Sequence, residues 1–313
     1  MNREDYFWVW LNESLYKKRL SIPKIHTILQ SSGPLLKPSF EGVSKWLDAS
    51  SMKGLNRDWE GVDHHAFEEI LDRCLKRGVR LLTFQEEGYP RLLKEIPDPP
   101  LALFVKGALT EFSRCVAVAG TRNPSAEGHR VARECGRALA ERGYTVVSGL
   151  ARGIDTEAHL GALDVGGKTV AVLAGDVEKI YPPENKRITE DIVRNGALVS
   201  ETPPQTSIQK PRFVRRNRIT SGMSHCLVII ESPGRGGTST QVDQALRQGR
   251  RIFVMMAEKR HSDLREGFEE YLSRGAEPFR EIHELMSCVE MAVSNKVKTI
   301  RVEKQEPLDA FLQ

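Results

Sequence analysis

Long hydrophobic runs are missing from this sequence. The longest aliphatic stretches, such as Cys226 to Ile230, hold about five residues, whereas a membrane-spanning helix needs roughly 20. The opening Met1-Asn2-Arg3-Glu4-Asp5 has no basic flank, apolar core or small-residue cleavage site, so no secretory signal is expected. Cysteine is sparse and unpaired: Cys74, Cys115, Cys135, Cys226 and Cys288 never form a C-x-x-C pair. That spacing argues against zinc and against a disulfide scaffold, and it predicts reduced thiols used as small buried hydrophobes. Neither a metal nor a cofactor is expected, and the reading is of a cytoplasmic protein. Internal repeats and low-complexity stretches are also lacking.

What remains is an ordinary globular composition, 40% apolar and 28% charged over 313 residues, enough for one large domain or two modest ones. The 46 basic and 42 acidic residues leave a net charge of +4. So small an excess decides nothing by itself; the placement of the charge carries the information.

Two segments near the start, Glu4 to Tyr16 and His65 to Lys76, carry apolar residues at three- and four-residue spacing and predict helices. Breaks at Ser32-Gly33-Pro34 and Gly54 fall between them. The first hundred residues read as helical, and the proline cluster Ile96 to Pro100 lies in a boundary region spanning about residues 78–107. From Arg114 the rhythm changes. Short β-branched runs are predicted as strands at Cys115–Ala119, Thr145–Val147, Thr169–Leu173, Ala197–Val199, Cys226–Ile230 and Arg251–Met255. Helical segments alternate with them: Ala126–Arg142, Ile154–Val165, Lys186–Arg194, Phe213–Met223 and Thr238–Gln248. Strands apolar at every position, alternating with helices, predict a mainly parallel sheet covered on both faces, a Rossmann-like doubly wound α/β fold. Helices are also expected at Gly267–Arg274 and Glu281–Met291. The divisions drawn are an N-terminal helical region (1–80), an extended Rossmann-like domain (81–290) and a charged tail (291–313).

Ligands of such sheets bind beyond the carboxyl ends of the strands, where helix N-termini present free N–H groups. Four loops fit that position. Gly120, Thr121, Arg122 and Ser125 offer a glycine turn, hydroxyls and a guanidinium, suited either to an anion or to a plain strand–helix turn. Ser148-Gly149-Leu150-Ala151-Arg152-Gly153 lets the backbone approach a ligand closely, with Asp155 in the following helical turn. Lys210-Pro211-Arg212-Phe213-Val214-Arg215-Arg216-Asn217-Arg218 places five cations in nine residues, and no acid occurs between Thr202 and Cys226. A charge run is usually a solvated face. Cations for phosphates around a ring for a base are also what a single-stranded nucleic acid requires. Gly236, Gly237 and Thr238 form a further phosphate-nest candidate, but without the lysine of a P-loop.

Taken in order, Gly88-Tyr89-Pro90, Asp98-Pro99-Pro100, Gly120-Thr121-Arg122, the stretch Ser148 to Asp155 with Ala158-His159, Tyr181-Pro182, Ser200-Glu201, Arg216-Asn217-Arg218-Ile219 and Gly249-Arg250 resemble the DNA-processing protein A (DprA/Smf) family. The resemblance runs from about residue 88 to residue 285. It implies an extended Rossmann-like domain that binds single-stranded DNA, protects it during natural transformation or recombination, and helps load a RecA-type recombinase, commonly as a homodimer. Carried over by motif, the DNA contacts would be Arg122, Gly149, Gly153, Lys210, Phe213, Arg216, Asn217 and Arg218, with Asp155 and His159 shaping the pocket. Met255-Met256-Ala257 stands where the family usually has Pro-Gly, and too few residues follow Met286 for the C-terminal winged helix of many members.

Two other readings compete. The loops could hold a small phosphorylated signal in a nucleotide-sensing module, although the cation run is long for one mononucleotide. Alternatively, Pro233-Gly234-Arg235-Gly236-Gly237-Thr238 echoes the motif of nucleotide phosphoribohydrolases. Gln241 stands where those enzymes carry their catalytic glutamate, and an amide cannot replace that carboxylate in acid–base work. No enzyme activity is expected.

Overall fold

A computed structural model of the chain describes residues 3–18, 64–256 and 262–294. The breaks expected at Ser32–Pro34 and Gly54, and the charged tail beyond residue 294, lie outside the described residues. Among the described residues two helices come first, α1 (Arg3–Lys18) and α2 (His64–Lys76). Next are β1 (Val79–Thr83), the short α3 (Arg91–Lys94) and β2 (Ala102–Lys106). The alternating part runs β3 (Cys115–Ala119), α4 (Ala126–Glu141), β4 (Thr145–Ser148), α5 (Ile154–Leu163) and β5 (Thr169–Val172). After a 3-10 turn at Pro183–Asn185 follow α6 (Lys186–Asn195), β6 (Ala197–Ser200), α7 (Lys210–Gly222) and β7 (Cys226–Ile229). The chain continues through α8 (Gly237–Arg247), β8 (Arg251–Met255), α9 (Ser262–Ser273), β9 (Glu277–Phe279) and α10 (Ile282–Ser294).

The nine strands among the described residues form one sheet in the order β1-β2-β6-β5-β4-β3-β7-β8-β9. From β6 to β9 every pairing is parallel; β2 pairs antiparallel with both β1 and β6. The doubly wound α/β fold read from the sequence is the fold observed. One expectation is corrected: the boundary region around residues 78–107 contributes β1 and β2 to the sheet. Val79-Arg80-Leu81-Leu82-Thr83 is too short to declare its period. Its partner lies across a proline-rich connection, so only the antiparallel register Val79 to Lys106 identifies it as a strand. The three-residue β9 had no sequence signal for the same reason.

Strand residues alternate between the two faces, as a pleated backbone requires. Val116 and Val118 pack with Val131, Cys135 and Leu139 of α4, while Ala117 and Ala119 face Val242 and Ala245 of α8. Toward the β1 edge, Ala171 and Leu198 meet Phe7, Trp8 and Leu11 of α1 and Leu71 of α2. On the opposite face Val170, Val172 and Val199 meet Ile219 and Met223 of α7. Helices α4, α5, α7 and α8 each connect to a parallel strand and run back against it, so all four N-termini lie at the strands' carboxyl edge. The candidate loops converge there.

Candidate nucleic-acid interface

Helical geometry divides the basic run of α7 between two environments. Residues three apart share a face, and Arg212, Arg215 and Arg218 all turn inward. Arg212 donates to the Glu13 carboxylate at 2.9 and 3.2 Å and to Thr202 Oγ1 at 3.1 Å. Arg215 and Arg218 share the Glu201 carboxylate at 3.0 and 2.6 Å, and Arg218 also pairs with Asp98 at 3.0 Å. Burial opposes ionisation of Glu201, but the two guanidiniums overcome it and hold the carboxyl below its ordinary range. Arg218 is only 2% exposed. The sequence expectation that it contacts DNA is therefore corrected: its charge is matched inside the protein.

Arg216 and Phe213, again three apart, face another way. They line a pocket of about 60 Å³ together with Arg122, Gly149, Arg152 and Tyr181. The Arg216 side chain lies so close to Gly149 that a Cβ built there would come within 1.9 Å of Nη1. This close approach is what the glycine permits. Nη1 donates to the carbonyl of Val172 at 2.6 Å, which anchors the guanidinium at the end of β5. Burial and the nearby Arg122 charge press the Arg216 pKa below its usual value, while Asp155 opposes them. Phe213 is half-buried and meets the exposed ring of Tyr181 edge-on, centroids 5.7 Å apart. Arg122 and Lys210 are exposed. Arg152 is exposed as well and pairs with Glu184 of the 3-10 turn.

The glycine turns behave differently from expectation. Glu231, at the end of β7 and 2% exposed, sends its carboxylate onto the N-terminus of α4. It accepts from the Ser125 N–H at 2.9 Å and from the Ser125 hydroxyl at 2.7 Å, while its backbone carbonyl takes the Thr121 N–H at 2.6 Å. Gly128 is needed at this spot, since a Cβ there would meet Glu231 Oε2 at 2.5 Å. Gly120, Thr121 and Ser125 thus do not form an open phosphate nest. The positive end of the helix is already occupied by the protein's own anion. One loop along, Asp155 turns back from the first turn of α5 and accepts from the loop N–H groups of Gly149 and Ala151 at 3.1 and 3.2 Å. Gly149 accordingly contributes room for Arg216, and no free N–H. Gly153 (φ +75°) packs toward loop one, where a Cβ would strike Thr121 O at 2.5 Å, and so joins the two loops.

The third helix N-terminus stays open. Gly236 (φ +89°) leads into α8 with no side-chain cap, and Gly237 is exposed. Thr238 Oγ1 donates to Gly120 O at 3.1 Å, which sets this turn beside loop one. Asn217 is not at the surface; its Nδ2 donates to Gly237 O and Thr240 Oγ1 at 3.1 and 3.0 Å, tying α7 to α8. His159 is fully buried with Nδ1 2.6 Å from Thr169 Oγ1, and burial reinforced by Arg216 pushes its pKa down to about 3. It is a neutral packing residue. Lys210 stands at the first turn of α7, near the rim formed by Phe213.

Comparison with known proteins gives this geometry its context. The sequence model of the family described as DNA recombination-mediator protein A matches residues 80–290. The chain belongs to that family. DNA processing protein DprA of Bacillus subtilis is 37% identical over 188 residues, covering 59% of this chain and 63% of that protein. Protein Smf of Escherichia coli is 41% identical over 177 residues, covering 56% and 47%. The chain thus spans less than two-thirds of the length of these curated relatives. Among solved structures, DNA processing protein A of Streptococcus pneumoniae superposes with a TM-score of 0.78 at 25% identity over 92% of this chain and 98% of that one. A Helicobacter pylori structure, described as giving insight into the single-stranded DNA binding mode of DNA processing protein A, matches with a TM-score of 0.61 at 26% identity. It covers 68% of this chain and 95% of that one. The matched stretch in the family model begins at residue 80, within β1, and takes in the rest of the sheet.

The sequence reading gave no contact role to Tyr181 or to Arg152, which it read only as part of a glycine turn; the fold brings both to Phe213. The closing of the α4 N-terminus has no local signal, since Glu231 and its partner Ser125 are 106 residues apart.

Proposed function

We propose that this protein binds single-stranded DNA along the carboxyl edge of its sheet and breaks no bond in it. The observation that carries the reading is the juxtaposition of Arg216, fixed against Gly149, with Arg122, Arg152 and the Phe213–Tyr181 ring pair. The cations meet phosphates, and the half-buried Phe213 and exposed Tyr181 rings offer a face or edge to a base. Lys210 and the open turn at Gly236, Gly237 and Thr238 extend the track to either side. Asn217 and Gly153 support it from behind. The pocket is bordered by the exposed Arg122, Arg152 and Tyr181, which favours a strand lying across the site over an enclosed mononucleotide signal.

Four phosphate contacts, from Arg122, Arg152, Lys210 and Arg216, give a log–log salt slope of about −3 for single strands. A salt titration with single-stranded and duplex oligonucleotides of one sequence tests this. Tighter single-strand binding with that slope is expected; equal affinity for both forms, or a flat slope, would reject the reading. Family membership and the described DNA-binding relative support the strand-binding reading; a cytoplasmic role in protecting strands and assisting a RecA-type recombinase, as a homodimer, is proposed with it.

A further inference from the structure

We propose that Glu13, on the N-terminal helix α1, is a positioning residue for strand binding that sets the first turn of α7. The inference rests on the DNA-binding reading above and names a control of that same site from outside the stretch matched by the family.

The geometry is a buried bridge between two distant parts of the chain. Glu13 and Arg212 are 199 residues apart, yet both oxygens of the carboxylate accept from the guanidinium at 3.2 and 2.9 Å. The pair is buried, Arg212 being 5% exposed, so removing either partner leaves the other charge unmatched inside the protein. Helix α1 is itself fixed next to this bridge. Asn12 Oδ1 accepts from the Leu101 N–H at 3.0 Å, and Phe7, Trp8 and Leu11 are buried against the sheet. The bridge therefore transmits the position of a well-anchored helix to Arg212.

Arg212 lies immediately before Phe213, whose ring faces the pocket, and two residues after Lys210. The first turn of α7 has no side-chain N-cap; Pro211 fixes its backbone angle but adds no bond to the rest of the protein. Further along the helix, Arg216 is held independently by Val172 O, and Arg218 by Glu201 and Asp98. Loss of the Glu13 carboxylate should thus displace the Phe213 end while leaving the Arg216 end in place. Base stacking would suffer and phosphate binding would largely persist. A general loss of fold would instead lower both together.

The test compares affinities of the full-length protein for a single-stranded oligodeoxynucleotide and for the same strand carrying abasic sites. In the wild type the intact strand should bind about tenfold more tightly, the effect of one stacked base. Glu13→Gln should bring the ratio close to one, matching Phe213→Ala, with the salt slope reduced by less than one contact. The double variant Glu13→Met with Arg212→Met, which replaces the ion pair by apolar side chains, should restore the ratio. If Glu13→Gln does not fold, Glu13→Asp serves in its place: it keeps the charge on a shorter arm and should give an intermediate ratio. An unchanged ratio in the folded variant, or a proportional fall for intact and abasic strands, would overturn the proposal. A wild-type protein that binds neither strand would instead reject the DNA-binding reading on which it rests.

Discussion

Gly149 and Arg216 show how one missing side chain can set a functional group. Because nothing projects from Gly149, the Arg216 guanidinium fills that space and reaches Val172 O. Gly149→Ala leaves no room for it. Gly149 does not have a positive φ, so the backbone accepts alanine and the cost falls on the arginine. We expect strand affinity to fall by about one phosphate contact, seen as a salt slope shallower by about 0.7, with a far smaller change in thermal midpoint. His159 provides a residue-scale pH dependence. Its folded-state pKa of about 3 lies below the ordinary 6.5, so between these values the unfolded chain takes up a proton that the native state refuses. Stability is therefore full above pH 6.5 and falls as the pH drops toward 3, by at most about 1.4 kcal/mol per pH unit from this group. Denaturant unfolding of His159→Gln across pH 4 to 7 should show a shallower slope than the wild type. An identical slope would place the dependence elsewhere.

Helix α7 carries much of the proposed interface, and its period explains why its charges do not act as a single run. Five cations look alike in a linear sequence. Wound at 3.6 residues per turn, the inward face takes Arg212, Arg215 and Arg218 to Glu13, Glu201 and Asp98, and the pocket face takes Arg216 with Phe213. A substitution on the inward face is consequently a stability change. Arg218→Met leaves Glu201 and Asp98 without one of their cations in a buried setting and should cost about 3–5 kcal/mol of unfolding free energy. Urea denaturation measures that loss. A stable Arg218→Met protein with weakened DNA binding would return Arg218 to the interface. The N-terminus of α4 tells a similar story for anions: Ser125 reads as a good N-cap and is one, donating to Glu231 while its own Oγ accepts from the Gly128 N–H at 3.0 Å.

At the scale of the whole molecule, the parallel sheet delivers three helix N-termini and α7 to one edge, and the side chains decide which of them are open. Glu231 closes the crevice between β3 and β7, where the strand order reverses and sheets of this kind usually receive a nucleotide phosphate. Gln241, buried in α8, holds an amide where a hydrolase would need a carboxylate. Incubation with nucleoside monophosphates should accordingly release no free base; measurable release would revive the hydrolase reading. Much of this was legible in advance. The alternation of apolar β-branched runs with helical segments specified the sheet from β3 to β8, because a strand buried on both faces must be apolar throughout. The motifs around Arg122, Gly149 and Arg216 pointed to the carboxyl edge of it, where the structure brings these residues together. Strands β1 and β2 were not legible, since five residues beside a proline cluster carry no period of their own. Glycine spacing also indicated a phosphate nest at Gly120, Thr121 and Ser125 that the protein closes itself with Glu231. Local pattern determines which segments are strands and helices, since backbone hydrogen bonding and apolar period act over a few residues. Only the tertiary structure decided which charges face solvent, because an arginine's role depends on whether a carboxylate from 17 or 199 residues away has reached it first.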